Sequence, residues 1–289
     1  MYIINFISAS ILRLLSLLPF WFVYIKSDFL FLIIYYIVGY RKKVVYQNLR
    51  NSFPEKSSRE IRQIAKKFYH NLSDVIWEQI KLRGMSDEQS QKRMVFKNTD
   101  ILDKLNKKNK SVIGLIGHTG NWEWVCIFSK MVMPYPTFAL YKPLSNKFFN
   151  NYLLRVRTKF GLKMIPSQHA MRHFINKKNE MTFTFMAADQ TPIKSEIQYW
   201  TKFLNQNTPV FTGAEKIARS LDLAVVYVDV KRIKRGYFEA NIVELCDDAA
   251  SSKENEITEK YMRLLEKSII EQPDNWLWSH RRWKQKKTK

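Results

Sequence analysis

Across residues 1–40 only Arg13, Lys26 and Asp28 carry charge, and the stretches Met1–Leu12, Leu14–Ile25 and Phe29–Tyr40 are almost wholly apolar. No other feature narrows the fold as much, because such a segment must be covered by protein or by lipid. Each run is about half the ~20 residues a spanning helix requires. A cleaved secretory signal fits poorly: charge lies inside the segment, no small-residue cleavage site follows, and another apolar run comes directly after. Pro19 breaks or kinks a helix near the middle, and Trp21, Phe22, Tyr24, Tyr35 and Tyr36 are of types enriched at headgroup depth. A bent hairpin seated in one leaflet fits, as does one tilted span; the third arrangement is burial in a soluble core. Arg41, Lys42 and Lys43 follow at once and, by the positive-inside bias, place that end in the cytoplasm. Residues 1–40 are therefore read as a membrane-anchoring helical segment.

The remainder has a different character. The 289-residue chain carries 48 Lys and Arg against 26 Asp and Glu, a net charge of +22, which points to an anionic membrane, a nucleic acid or an acidic protein as partner. Cys126 and Cys246 are too few for a disulfide framework and have no C-x-x-C spacing, so structural zinc on thiolates is not expected. Ser57-x-x-Glu60 reads as a capping box, and Ile61, Ile64, Phe68, Leu72, Val75, Ile76 and Ile80 then recur at helical spacing, with Gly84 suited to the C′ position. Short apolar runs at Ser111–Gly117, Thr137–Leu140, Met181–Ala187 and Ala224–Val230 predict buried strands. Helical stretches near Asn121–Met133, Lys147–Phe160, Gln168–Lys177 and Gly213–Leu221 separate them, and the alternation predicts an α/β domain. Thr212-x-x-Glu215 reads as a second capping box, Lys253–Ile270 as a charged, exposed helix, and Gln190–Asn207 as a long loop or an edge hairpin.

The sharpest chemical signal is Gly117-His118-Thr119-Gly120-Asn121-Trp122-Glu123, which follows a predicted strand and precedes a predicted helix. On one ideal helix, residues five apart differ by about 140° around the axis, so His118 and Glu123 can meet only across a turn. Gly120 supplies the permissive backbone, Asn121 can cap, and Glu123 in the first helical turn can reach an imidazole nitrogen. A histidine so oriented is a general base able to take a proton from a hydroxyl. The alternative is a strand-end histidine satisfied by backbone and a glutamate favoured by the helix dipole. No G-x-S-x-G and no G-x-x-x-x-G-K-[ST] occurs, which removes a serine elbow and a phosphate loop. His169 and His173 stand four apart, but Ala170 occupies the place of a zinc protease's glutamate, so a polar helix face is expected rather than a metal. Tyr141-Lys142-Pro143, Arg155-x-Arg157-x-x-Phe160-Gly161 and the ending Trp276-Leu277-Trp278-Ser279-His280-Arg281-Arg282-Trp283 interleave aromatic and basic residues, a pattern that suits a lipid headgroup interface or a nucleic acid. The apolar amino-terminal segment favours the lipid. Lys284, Lys286, Lys287 and Lys289 read as a solvated basic tail.

In this order these motifs resemble the late acyltransferases of lipid A biosynthesis, within the lysophospholipid acyltransferase superfamily. The resemblance covers nearly the whole chain, from Leu14–Pro19 and Tyr40-Arg41 through Asn48-Leu49-Arg50-Asn51-Ser52-Phe53-Pro54 to the carboxyl-terminal tryptophans, and centres on the His-x4-acid block His118 to Glu123. It departs from the family pattern at Lys202-Phe203-Leu204-Asn205, where relatives commonly have Phe-Phe-Gly, and at Ile193–Glu196, which lacks glycine; both bear on acyl-chain and acceptor preference. The resemblance implies a mixed central sheet flanked by helices, with residues 41–289 as the catalytic domain. It implies transfer of a fatty acyl group from acyl carrier protein to a lipid A precursor hydroxyl at the cytoplasmic face of an anionic inner membrane, without metal or cofactor and with no nucleic acid as partner. His118 is then the base, Glu123 its orienting carboxylate, and Arg157 the oxyanion partner, with Gly120 and Asn121 close by. Arg155 is the alternative arginine. Asp189, beside Gln190, orients a substrate or the arginine, and Tyr141 and Lys142 are further substrate contacts. A different acceptor, such as a lysophospholipid or an aminolipid, is the rival enzymatic reading, and a non-catalytic basic membrane- or nucleic-acid-binding protein the non-enzymatic one.

Overall fold

The structure is a computed structural model describing residues 2–287, with side chains described from residue 7 onward; Lys289 of the basic tail lies outside the described residues. Helices α1 (Tyr2–Leu17) and α2 (Phe20–Leu32) are separated by a break at Leu18-Pro19, and α2 continues through a π-helical turn, Ile33–Ile37. Helices α3 (Lys42–Ser52), α4 (Ser58–Leu82) and α5 (Asp87–Arg93) lead to strand β1 (Met94–Lys97). An alternating body follows, made of α6 (Asp100–Lys107), β2 (Val112–Ile116), α7 (Phe128–Met131), β3 (Thr137–Tyr141), α8 (Lys147–Arg157), β4 (Lys163–Pro166), α9 (Ala170–Asn176) and β5 (Phe183–Ala187). The hairpin β6 (Tyr199–Phe203) and β7 (Gln206–Val210) precedes α10 (Gly213–Leu221), β8 (Ala224–Lys234), β9 (Tyr237–Cys246) and α11 (Glu256–Glu271).

Seven strands form one sheet in the order β1-β9-β8-β2-β5-β3-β4. Every pairing in it is parallel except β8 with β9, so the fold is α/β with a mixed central sheet flanked by helices. Strand β2, Val-Ile-Gly-Leu-Ile, is buried at every position, as expected where helices cover both faces. One apolar cluster gathers Ile113, Leu115, Tyr261, Leu265 and Trp278, and the other Phe128, Val156, Phe183 and Phe185. Gly114 is required by packing, since a Cβ there would lie 2.4 Å from the Phe183 ring.

Several expectations are corrected in detail. The Ser57 capping box forms with both reciprocal bonds, but the Thr212 box does not: Thr212 makes no side-chain cap, and the buried Glu215 carboxylate instead accepts from the Thr258 N–H at 2.9 Å. Gly84 does follow α4, yet its backbone is not left-handed; it is needed because a Cβ would lie 2.2 Å from the Ser16 carbonyl oxygen. Helix α9 has no polar His face, because His173 is buried against Phe138 while His169 is exposed. The segment Gln190–Asn207 resolves into a loop and the first part of the β6–β7 hairpin.

Helix α2 lies along α4 and α1 meets it as well. The inner face of α2 carries Val23, Ser27 and Phe31, and Ser27 Oγ donates to Asp74 Oδ1 at 2.6 Å. Asp28 pairs with His70 at 2.8 Å and with Arg235 at 2.5 Å, and Arg235 also grips Asp74. The outer face is the reverse: Ile7, Ile11, Leu14, Leu17, Trp21, Ile25, Phe29 and Leu32 are exposed. The segment Phe20–Ile37 is long and apolar enough to cross a membrane by length and composition.

Candidate active site

Strand register builds the centre of the site. Ile116 of β2 stands opposite Ala187 of β5 in a parallel pairing, and two residues further along each chain stand His118 and Asp189. Adjacent strands are about 4.8 Å apart, so the two side chains leave the carboxyl edge of the sheet together. His118 Nδ1 lies 2.6 Å from Asp189 Oδ1, and the His118 N–H donates to Asp189 Oδ2 at 2.9 Å. Trp276 Nε1 donates to that same oxygen at 2.8 Å. Asp189 is buried, whereas the His118 side chain keeps 18% of its surface exposed. Gln190 Nε2 stands 3.2 Å from His118 Nε2, and the Trp122 ring meets the imidazole edge-on at 5.3 Å.

The electrostatics follow from this packing. Burial alone would raise the Asp189 carboxyl, but the imidazole charge and the three hydrogen bonds outweigh it and hold Asp189 down at about 2. Burial disfavours the charged imidazole, yet the Asp189 carboxylate more than offsets this, with a smaller contribution from Glu123, so His118 titrates above the ordinary histidine value. An ionised carboxylate on Nδ1 selects the tautomer with its proton there, leaving the Nε2 lone pair toward the opening.

The partner of His118 is thus Asp189, not Glu123. The segment Trp122–Ile127 is a 3-10 helix rather than the start of an α-helix, and it sends Glu123 toward α8. There Arg157 Nε and Nη2 donate to the two Glu123 oxygens at 2.8 and 2.7 Å, a bidentate pair. Burial opposes the Arg157 charge, but Glu123 outweighs it and raises the arginine further. Nη1 is the guanidinium nitrogen outside this pair. Arg155, two positions earlier on α8, is exposed, as residues two apart on a helix face different ways.

The turn residues are committed to structure. Gly120 has φ +54°, where a Cβ would meet the Val230 carbonyl oxygen at 2.9 Å, and its N–H donates to the Asn275 carbonyl at 3.0 Å. Asn121 does not cap; its Nδ2 donates to Glu78 Oε2 at 2.8 Å, and the residue is wholly buried. Tyr141 ends β3 half-buried, with Lys142 exposed beside it.

Sequence reasoning does not single out Trp276, Glu78 or His280. Composition groups Trp276 with a surface cluster, yet Trp276, Trp278 and Arg282 are all buried. The Leu277 N–H donates to the His118 carbonyl at 3.1 Å, so Trp276 and Trp278 stand on an inner wall of the site, while Arg281 and Lys284 are exposed. His280 Nε2 accepts from the Thr191 N–H at 3.3 Å, and burial drives its ring down to about 4, so it stays neutral. Among the described residues no group of three or more His, Cys, Asp or Glu side chains is placed to hold a metal. A concavity lined by Val95, Phe96, Leu102, Met131 and Tyr135 lies at the β1 edge and includes none of the groups above.

The family model described as bacterial lipid A biosynthesis acyltransferase matches residues 1–285, and the chain belongs to that family. Compared with curated proteins, the chain has no match.

Proposed function

We propose that this acyltransferase moves a fatty acyl group from acyl carrier protein to a hydroxyl of a lipid A precursor at the cytoplasmic face of the inner membrane. The observation that carries the reading is the His118–Asp189 pair, in which a buried carboxylate keeps the proton on Nδ1 and leaves the proton-accepting lone pair on Nε2, where Gln190 Nε2 stands at 3.2 Å. In the proposed step Nε2, turned from Gln190, takes the proton of the acceptor hydroxyl. The oxygen attacks the thioester carbonyl, a C–O bond forms as the C–S bond breaks, and the imidazolium returns the proton to the departing sulfur. No acyl-enzyme is formed. Arg157, held in place by Glu123, offers Nη1 to the developing oxyanion. In this reading Gln190, Tyr141 and Lys142 contact the substrate, and exposed Arg155 and Lys142 attract the phosphorylated acceptor and the acidic carrier.

The exposed apolar face of α1 and α2 supports a seat in one leaflet, with residues 1–40 as anchor and residues 41–289 as catalytic domain. Its apolar side chains point away from the protein, while Ser27 and Asp28 on the inner side are bound to α4 and to Arg235. The test is transfer from acyl carrier protein to a lipid A precursor, with a lysophospholipid as competing acceptor. His118→Ala should lower turnover roughly 10²–10⁴-fold while folding normally. A folded His118→Ala enzyme with wild-type rate refutes the assignment, and preferential acylation of the lysophospholipid replaces the acceptor.

A further inference from the structure

Glu78 of α4 is fully buried and uses both carboxylate oxygens. Oε1 accepts from the Tyr24 hydroxyl of α2 at 3.1 Å, and Oε2 accepts from Asn121 Nδ2 of the turn after His118 at 2.8 Å. Its main-chain oxygen accepts from Trp124 Nε1 at 3.2 Å, so two side chains of the segment after His118 end on this one residue. On the other side, Tyr24 lies between Trp21 and Ile25, whose side chains are 65% and 55% exposed on the apolar outer face. A carboxylate in this position is costly to bury unless it is needed where it stands, and an apolar side chain would fill the volume without linking the two elements. Phe20 of α2 also meets the Trp124 ring edge-on at 6.4 Å, an apolar contact, while the backbone hydrogen bonds of Asn275 with Gly120 and of Leu277 with the His118 carbonyl come from the carboxyl-terminal segment.

We propose that Glu78 is a positioning residue joining the lipid-facing helix α2 to the turn that carries His118, so that seating α2 in a bilayer steadies the turn for catalysis. The inference rests on the membrane-seated acyltransferase reading above. Two hydrogen bonds in series, Tyr24 to Glu78 and Asn121 to Glu78, transmit the position of α2 to the residue three beyond the histidine. Glu78 acts through Asn121 and touches no substrate.

The experiment uses the full chain, phosphatidylethanolamine–phosphatidylglycerol vesicles, and three variants: Tyr24→Phe, Glu78→Met and Glu78→Gln. Hydrogen exchange of the peptide spanning Gly117–Trp124 is read with and without vesicles, beside vesicle co-sedimentation and turnover. In the wild type vesicles should slow exchange of this peptide roughly five- to tenfold, the equivalent of about one hydrogen bond. Tyr24→Phe and Glu78→Met should sediment with vesicles as the wild type does yet show no vesicle-induced slowing, with turnover reduced severalfold at unchanged Michaelis constants. Glu78→Gln should rescue the response, because its amide can accept from Tyr24 and donate to Asn121 Oδ1, an atom now without a partner, once the Asn121 amide turns over. Equal vesicle-induced slowing in wild type and Tyr24→Phe overturns the proposal, as does a wild type that binds vesicles with no change at the turn or does not bind them. If the enzyme acylates none of the acceptors tested, the functional reading fails, while the exchange data still decide the coupling.

Discussion

Replacing Asp189 by Asn changes one atom and should invert the state of His118. Oδ2 of Asp189 accepts two N–H donors, the His118 main chain at 2.9 Å and Trp276 Nε1 at 2.8 Å, so the amide oxygen of the substituted side chain must take that place. The amide nitrogen then faces His118 Nδ1, which lies 2.6 Å from the present Oδ1. Two donors cannot share that line; Nδ1 becomes the acceptor and the proton moves to Nε2, which removes the basic lone pair from the side open to substrate. The same tautomer inversion costs about 10⁴ in turnover in the serine-protease triad, and a loss of roughly 10³–10⁴ is expected here. Stability changes as well. The carboxyl held at about 2 contributes roughly 2 kcal/mol above its ordinary value of 3.8, a contribution lost as pH falls through 2. The Asn variant should therefore melt lower at pH 7 than the wild type, with the gap closing in acid. The assay is acyl transfer from carrier protein between pH 5 and 9. Because the proposed step needs neutral His118, whose affinity for the proton is raised, the wild-type acid limb should lie above pH 6.5. A folded Asp189→Asn enzyme within about tenfold of wild type, with its acid limb unmoved, would refute the dyad.

Arg157→Lys should lower turnover about 10²-fold although charge is unchanged, because one ammonium cannot hold both Glu123 oxygens and still point a donor at the oxyanion; steady-state kinetics showing only a raised Michaelis constant would assign Arg157 to binding instead. Burial, with the Asp74 carboxylate nearby, lifts the Glu78 carboxyl to about 7 from 4.5, so the folded chain keeps a proton that the unfolded chain has released, and stability from this group declines as pH rises from 4.5 through 7. Glu78→Gln should accordingly match the wild type near pH 4.5 and exceed it by about 3 kcal/mol at pH 8 in denaturant melts; a constant difference across that range would contradict the burial argument. Deleting residues 1–40 strips Asp74 of Ser27 and leaves Arg235 without Asp28, so the remainder should aggregate or unfold rather than become a soluble catalytic domain. A monomeric, cooperatively melting truncation would show residues 1–40 to be a separable anchor.

Local signals were enough for much of the fold. The periodicity of Ile61 to Ile80, the Ser57 capping box and the fully apolar β2 depend on neighbours within a few positions, and Gly213–Leu221 forms over the residues its pattern predicts. The His-x4-Glu block likewise lies in one short stretch, and with its companion motifs it marks the family. Strand β1 is only four residues long, and β9 alternates buried with half-exposed positions at the side of a hairpin, so neither stands out as an apolar run.

What no spacing rule could supply is which carboxylate meets which cation. His118 and Asp189 are 71 positions apart and meet only because β2 and β5 pair with Ile116 opposite Ala187; a one-residue slip would turn one side chain to the other face. Glu123, five residues from the histidine and the nearer choice along the chain, is drawn instead to Arg157, because a 3-10 turn rather than an α-helix sets its direction. The carboxyl-terminal tryptophans show the same division. Their composition fits a membrane rim, but Trp276 stands behind Asp189 with its indole N–H on the carboxylate, and only the packing of distant segments around a buried charge determines that.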